Sequence, residues 1–232
     1  MSGTPESELF TRLVDLGALL AFEHRLQLEE VLGETAFAAD VVEGTLRLEG
    51  TGGRSIETQL HLLGTAAPGP GTWLWSWANP GELPAPVSQL ARRLRAYGEE
   101  HGVPEFTEPE RPLDGEGTWR RLGIAAGLAL RNPRTVFPGP IEGGTVAVLL
   151  VDDERLALPA PTVSRTLRVL QEGIGSTELR SHSAALTRYA QDRGIELDWN
   201  GGEPVLRLPD GRIAVRLDHA LDRIVQLTGS AA

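Results

Sequence analysis

The chain contains neither cysteine nor lysine, although it has 232 residues. The absence of cysteine excludes disulfide bonds, thiol nucleophiles, thiolate zinc sites and iron–sulfur clusters. The absence of lysine excludes Schiff-base catalysis, and it excludes P-loop and protein kinase sites, which use a lysine to bind phosphate groups. All 22 basic residues are therefore arginine, which we interpret as the codon usage of a GC-rich bacterial genome.

Long apolar runs and an excess of positive charge are also missing. No run approaches the ~18–20 apolar residues of a membrane span. The net charge of −10 argues against binding to nucleic acid or to an anionic membrane. Because Met1–Glu6 shows neither the basic nor the apolar part of a signal peptide, we expect a cytoplasmic, acidic protein.

The sequence contains no recognisable catalytic, metal-binding or cofactor-binding motif. Its 5 histidines never occur at the spacing of a paired metal site, and no nucleophile elbow or glycine-rich nucleotide-binding motif is present. The one tight acidic cluster, Asp152–Glu154, is interpreted as a solvated turn. We therefore expect no cofactor, no metal and no catalytic residue, which favours a protein that is not an enzyme.

Hydrophobic periodicity predicts a long helix followed by an antiparallel meander. Thr4 is the expected N-cap and Pro5 the first helical residue, and Gly33 ends the helix. The period then changes to two, which is typical of strands joined by short turns. The expected strands are Ala36–Val42, Thr45–Glu49, Ser55–Leu63 and Trp73–Ala78.

A segment rich in proline, acid and glycine, Phe106–Glu116, predicts a linker between two tightly packed halves, residues 1–110 and 111–232, with a single domain as the alternative. A helix from about Val87 to His101 ends the first half. The second half opens with a helix in which Gly123 and Gly127, four residues apart, should let another element approach closely. The further helices and strands are expected at Thr135–Phe137, Thr145–Val151, Thr162–Gln171, Thr177–Arg193, Ile195–Trp199, Pro204–Leu208, Arg212–Leu217 and Arg223–Leu227.

A short pattern occurs twice in the chain. In each copy a Pro-Gly-Pro step, a strand and a turn precede a Leu-Pro-Ala-Pro segment and a helix. The two segments are Leu83–Pro86 and Leu158–Pro161. We interpret them as an internal repeat. It predicts an α+β fold with two related halves, each an antiparallel sheet with packed helices, related by an approximate twofold.

Three of the 5 tryptophans follow one another at a spacing of two: Trp73, Trp75 and Trp77. In a single strand they share a face, and the neighbouring strand would add Glu57 and His61 to that face. We expect this face to be buried as a core wall. The alternative is a small-molecule or catalytic pocket lined by these five residues.

The segment Gly71–Pro80, which contains these tryptophans, resembles an uncharacterised bacterial family known only as a domain of unknown function. The resemblance extends through Leu62–Thr65, Tyr97–Pro104, Leu122–Leu128 and Gly139–Gly144, and it covers about Leu60 to Val151. The family has no agreed activity, so the resemblance implies kinship without a function.

The favoured hypothesis for function is therefore a non-enzymatic binding protein. A protein partner would dock on an exposed sheet face, on an edge strand or on the tryptophans. The pocket of Trp73, Trp75, Trp77, Glu57 and His61 is the alternative. No feature of the sequence indicates an oligomeric state.

Overall fold

A computed structural model describes residues 5–115, 117–131 and 135–231. Helices and antiparallel sheets occur together in these ranges, which confirms the α+β class. Within them no helix is both long enough and apolar enough to cross a membrane.

The first helix, α1, spans Glu8–Leu32 and begins later than the sequence predicted. Its N-cap is Ser7, whose Oγ accepts a hydrogen bond from the amide of Phe10 at 3.3 Å. The buried carboxylate of Glu105 in turn accepts from Ser7 N at 2.6 Å and from Ser7 Oγ at 2.7 Å. Pro5 precedes the helix, and Thr4 lies outside the described residues. A contact distant in sequence therefore sets the start of the helix.

Three strands form the first sheet, in the order β1-β2-β3. They are β1 (Ala36–Asp40), β2 (Thr45–Glu49) and β3 (Ser55–Gln59). The single predicted strand Ser55–Leu63 is wrong, because the chain changes partners at residues 60 and 61. The amide of Leu60 still donates to Gly44 O next to β2, whereas His61 O accepts from the amide of Leu150 in another sheet.

The second sheet has five strands in the order β6-β5-β4-β8-β7, all antiparallel. The segment predicted as a linker is wrong in part, because its residues Glu110–Pro112 are β6 and pair with β5. The predicted boundary at 110/111 falls within this sheet, since β4 and β5 precede it and β7 and β8 follow it. In chain order the elements are β4 (Leu62–Ala67), β5 (Thr72–Trp75), α2 (Ala85–His101), α3 (Pro104–Thr107), β6 (Glu110–Pro112), α4 (Gly117–Ala129), β7 (Thr135–Pro140) and β8 (Val146–Val151).

Two helices and a third sheet complete the described chain. The helix α6 begins at His182 rather than at Thr177, because Ser181 is its N-cap and accepts from the amide of Ala184. The four-stranded order β12-β11-β10-β9 is a simple meander, as the sequence predicted. These elements are α5 (Val163–Ser176), α6 (His182–Asp192), β9 (Glu196–Asn200), β10 (Glu203–Leu208), β11 (Gly211–Asp218) and β12 (Arg223–Ala231).

The two copies of the repeated pattern contain the same local elements. In the first, β5 is followed by a 3₁₀ turn at Ser76–Ala78 and by α2. In the second, β8 is followed by a 3₁₀ turn at Glu154–Leu156 and by α5. In the two copies β4 corresponds to β7, and β5 corresponds to β8. A twofold axis would pair two corresponding strands where the hairpins meet, but there β4 pairs with β8. The two hairpins therefore follow one another across the sheet in the same sense.

Helix α1 contributes side chains to all three apolar cores. Its N-terminal part lies in a core with the tryptophans and α4, its middle in a core with α5, α6 and the third sheet, and its end in a core with the first sheet. The buried α1 side chains in these cores are Phe10, Leu13 and Val14; Ala18, Leu19, Phe22 and Leu26; and Leu28 and Leu32.

A buried carboxylate on α1, that of Glu23, connects it to both C-terminal helices. The Glu23 side chain is 1% exposed, and its Oε1 accepts from Arg165 Nε of α5 at 2.8 Å. Its Oε2 accepts from the Tyr189 hydroxyl of α6 at 2.9 Å and lies 2.9 Å from Arg193 Nε. Burial raises the pKa of Tyr189, so its hydroxyl stays protonated and donates to the carboxylate.

We expect Glu23→Ala to lower the free energy of unfolding by about 3–5 kcal/mol, because it leaves buried arginine charge without its carboxylate. Urea denaturation measures the change. The control is Glu29→Ala on the same helix, which removes an exposed i,i+4 pair with Arg25 and should cost no more than about 0.5 kcal/mol. Equal losses in the two variants would contradict a structural role for the Glu23 cluster.

The neighbouring His24 gives a prediction for acid stability. The pKa of its imidazole is lowered to about 4, mainly by burial; Glu23 opposes this shift, and Arg193 and Arg165 contribute to it. Unfolded histidine titrates near ~6.5, so the unfolded chain takes up this proton first as the pH falls. Stability should therefore drop between about pH 6.5 and pH 4, by up to about 3 kcal/mol from this residue.

Urea denaturation of the wild type and of His24→Leu over this pH range isolates the contribution. The variant should lose stability less steeply on acidification. Parallel curves for the two proteins would show that His24 is not the group responsible.

Candidate functional site

Trp73 and Trp75 are core residues, as the favoured interpretation expected. Both side chains are 0% exposed, and their rings meet edge to face with centroids 5.2 Å apart. Trp75 Nε1 donates to the carbonyl of Glu105 at 3.1 Å. A Cβ on the facing Gly64 would lie 2.5 Å from Trp73 Cζ2, so the glycine in β4 makes room for the indole. Neither tryptophan can line an open cleft.

Trp77 does not continue the stripe, because β5 ends at Trp75 and the chain enters a 3₁₀ turn. The hydroxyl of Ser76 fixes this turn by donating to Leu62 O at 2.6 Å. Trp77 is half-buried, and the guanidinium of Arg95 lies 4.6 Å from its ring centroid. This cation–π contact covers the part of the ring that the core leaves open.

Glu57 is not brought together with the tryptophans, because it lies in a different sheet. Glu57 is exposed on β3 and faces Arg47 across the first sheet. His61 is buried where the chain passes from the first sheet to the second. The strand predicted to carry Glu57 and His61 is therefore divided between two sheets, and the five residues that the sequence grouped do not share one sheet face.

Ser181, His182, Ser183 and Asp222 form a polar cluster that no sequence motif indicated. It is not a catalytic triad. His182 Nδ1 accepts from the amide of Ile224 at 3.2 Å, and its Nε2 lies 2.7 Å from Arg223 NH1. Both serine hydroxyls donate directly to Asp222.

The charges of this cluster fit a cap for α6. Burial and the nearby Arg223 lower the pKa of His182, so the ring is neutral. Burial opposes ionisation of Asp222, but the Ser181 and Ser183 hydroxyls outweigh it and lower its pKa. A carboxylate at a helix N-terminus is favourable. No group of three potential metal ligands occurs among the residues that the structure describes.

The third sheet has helices on one face only. Residues 206, 208, 213 and 215 point into the core with α5 and α6, and Leu217 is buried on the same side of β11. The alternating residues point the other way, and β11 places Arg212, Ala214 and Arg216 on this outer side, all exposed. Arg207 of β10 lies directly opposite Arg212. We call the surface of Arg207, Arg212 and Arg216 the arginine face.

Charge on the arginine face is only partly compensated. Arg207 lies 3.6 Å from Glu196 and 3.5 Å from Asp198 on β9. Neither the Arg212 side chain nor the Arg216 side chain has a hydrogen bond or an ion pair within the described ranges. Like charges directly opposite in a sheet destabilise it by roughly 0.2–1 kcal/mol. The sequence signal was available, since the arginines alternate with buried aliphatic residues in Arg212–Leu217, but it was interpreted only as a strand.

Comparison with known families gives one result. A family model matches residues 11–154, and its description is "Family of unknown function (DUF6882)". This confirms the resemblance to a family of unknown function and extends it on both sides of the range from Leu60 to Val151. No curated protein and no solved structure gives a significant match.

We expect Trp75→Ala to cost about 3–5 kcal/mol of unfolding free energy, because a fully buried indole and its hydrogen bond are removed. Thermal and urea denaturation measure the loss. The matched control is Trp77→Ala, for which half-burial predicts a cost of roughly 1 kcal/mol. A Trp75→Ala protein that melts within a few degrees of the wild type would contradict the burial of this residue.

Proposed function

We propose that this chain, which belongs to the DUF6882 family of unknown function, is a non-enzymatic binding protein. Its partner is a protein with an acidic segment, which docks on the arginine face. We also propose that it acts in the cytoplasm and uses no cofactor.

The observation that carries the proposal is the uncompensated charge of Arg212 and Arg216. In a chain of net charge −10, two neighbouring exposed arginines would be expected to find local carboxylates. Arg207 does so, whereas the other two have no ion pair among the described residues. A partner that supplies carboxylates would relieve the repulsion between Arg207 and Arg212.

Arginine suits such a contact because its planar guanidinium binds a carboxylate through two parallel hydrogen bonds. The arginines are spaced by the strand repeat, and the side chains between them are small or polar: Ala214, Thr228 and Gln226 are exposed nearby. An extended acidic segment could therefore lie flat across the strands. The arginine–carboxylate attraction acts between solvent-exposed charges, so added salt should screen it and weaken the contact.

The alternative, a pocket of Trp73, Trp75, Trp77, Glu57 and His61, has less support. Two of these side chains have no exposed surface, and Glu57 lies in a different sheet from the tryptophans. The serine, histidine and aspartate that meet at the start of α6 are hydrogen-bonded as a helix cap. These contacts support a binding protein over an enzyme.

A synthetic peptide of alternating glutamate and valine tests the proposal, with the lysine–valine peptide as its counterpart. In NMR titrations the glutamate peptide should shift the amides of β10 and β11, and added salt should weaken the binding. The double variant Arg212→Glu/Arg216→Glu should bind the peptide roughly tenfold more weakly or worse, because attraction becomes repulsion.

The matched control is Arg93→Glu, an exposed arginine of α2 without an ion pair among the described residues. This variant reverses the charge of one arginine on α2, away from the third sheet, and should leave binding within about twofold of the wild type. Equal weakening by both variants, shifts that map away from the third sheet, or no binding would overturn the proposal.

A further inference from the structure

A cleft of about 1010 Å³ runs along the side of α1. Its walls are α4, the start of β7, the segment after β8 and the C-terminal end of α6. We call it the α1 cleft; the residues that define it are Leu16, Leu20, His24, Gly127, Leu128 and Thr135. This volume is in the range of pockets that hold drug-sized ligands.

The floor of the α1 cleft is apolar and incompletely covered. Leu16, Leu20 and Ala21 are half-buried, although the other faces of the same helix turns lie in closed cores. Ile124 and Leu128 of α4 form the adjoining wall and are also half-buried. The central helix therefore presents an apolar strip to a concave space, which is the arrangement that a small apolar ligand would cover.

Three residues of the cleft lining have a buried side-chain polar atom without a hydrogen-bond partner: His24 Nε2, Thr135 Oγ1 and Arg193 Nε. Arg193 Nε lies 2.9 Å from the Glu23 carboxylate, which leaves His24 Nε2 and Thr135 Oγ1 as the two atoms with no polar group assigned to them. The two residues are 8% and 1% exposed. Buried polar atoms in folded proteins nearly always have a partner, and leaving one without a partner costs free energy. The two atoms belong to α1 and β7, which are two different walls of the cleft.

The half-buried ionic groups that line the cleft, Asp153, Arg188 and Arg193, are already paired, whereas Arg131 and Glu154 are exposed to solvent. Arg188 binds Asp192 at 2.9 Å, and Asp153 binds Arg155 at 2.7 Å. Arg193 lies 2.9 Å from Glu23. The lowered pKa of His24 adds a neutral imidazole. The buried part of the cleft therefore has unmatched capacity only for neutral hydrogen bonding, and an ion there would lose its hydration without gaining a counter-charge.

The glycines of the cleft distinguish close packing from open space. A Cβ on Gly17 would lie 3.1 Å from Ile124, and one on Gly123 would lie 2.8 Å from Val136 Cγ1. These two allow helices and strand to approach, as the sequence predicted for Gly123. A Cβ on Gly127 would meet nothing within 4 Å, so the expectation of close packing is wrong there. Gly127 instead leaves room in the cleft, at a cost in helix propensity.

We propose that the α1 cleft binds a neutral small molecule that has an apolar body and a hydroxyl or amide group. The apolar body lies on Leu16, Leu20 and Leu128, and the polar group pairs with His24 Nε2 or Thr135 Oγ1. A hydroxyl can both donate and accept, so it fits either tautomer of the imidazole. This site is separate from the arginine face, and neither proposal depends on the other.

The first experiment uses 2-naphthol, naphthalene and 2-naphthoate as probes in isothermal titration calorimetry and NMR. The wild type should bind 2-naphthol in preference to the hydrocarbon and to the anion, with amide shifts in α1 and α4. Gly127→Leu should weaken 2-naphthol binding at least about tenfold, since its side chain enters the cleft. It should leave the melting temperature unchanged or raised, because leucine favours the helix.

The matched control is Gly175→Leu, a glycine of α5 whose Cβ also meets nothing within 4 Å and which does not line the cleft. It should bind 2-naphthol like the wild type. No binding of 2-naphthol by the wild type, shifts away from α1 and α4, or equal binding by Gly127→Leu would overturn the proposal. Loss of binding in both glycine variants would also overturn it.

A second pair of variants tests the polar contacts. His24→Leu and Thr135→Val remove the two unpartnered atoms and keep the apolar lining. One of them, or the double variant, should reduce the preference for 2-naphthol over naphthalene by roughly threefold to tenfold, the effect of one hydrogen bond, while naphthalene binding persists. An unchanged preference in the double variant would overturn the assignment of these residues.

Discussion

The structure depends on one constraint: a single helix, α1, supplies the apolar surface for three separate cores. Its 25 residues pass the tryptophan core, the C-terminal core and the core of the first sheet in turn. The first and second sheets also pack directly on each other, for example through the rings of Phe37 and Phe137. The carboxylate of Glu23 adds a polar requirement at the middle of this helix, because only a particular placement of α5 and α6 brings Arg165, Tyr189 and Arg193 to it.

The two proposed sites follow from where this arrangement leaves surface uncovered. Three cores around one helix cannot close every gap, and the gap beside Leu16 and Leu20 is the α1 cleft. The third sheet is covered by α5 and α6 on one face only, which leaves the arginine face open. Helix α6 lies between the two sites: Leu186 and Tyr189 pack in the C-terminal core, and Arg188 and Asp192 line the cleft.

The five-stranded sheet shows why the halves of the chain cannot be treated as separate units. Strand β4 from the first part pairs with β8 from the second, with a register shift between Leu62 and Gly64. Strand β6 comes from the segment that resembles a linker in sequence. The repeated hairpins keep their local order, but their arrangement in one sheet makes each depend on the other. The family match over residues 11–154 ends just after β8 and so includes this whole sheet.

Much of the local structure could be predicted from the sequence. Periodicity identified α1, α2 and the final meander, and the alternation in Arg212–Leu217 was sufficient to assign β11. The burial of Trp73 and Trp75 was also expected, because indoles at a spacing of two usually wall a core. These features depend on residues that are close together in sequence, so the local periodicity of the sequence is enough to predict them.

The exact starts of α1 and α6, the division of Ser55–Leu63 and the role of Gly127 could not be predicted in the same way. The first three are decided by contacts with residues distant in sequence: Ser7 with Glu105, Ser181 with Asp222, and His61 with Leu150. The role of Gly127 depends on the open space beside it, which distant segments leave free. The sequence by itself determined the α+β class, most elements and the buried tryptophans, since periodicity and composition are local properties. Only the tertiary structure decided which sheet each strand joins and where the cleft and the arginine face lie, because these follow from packing between distant segments.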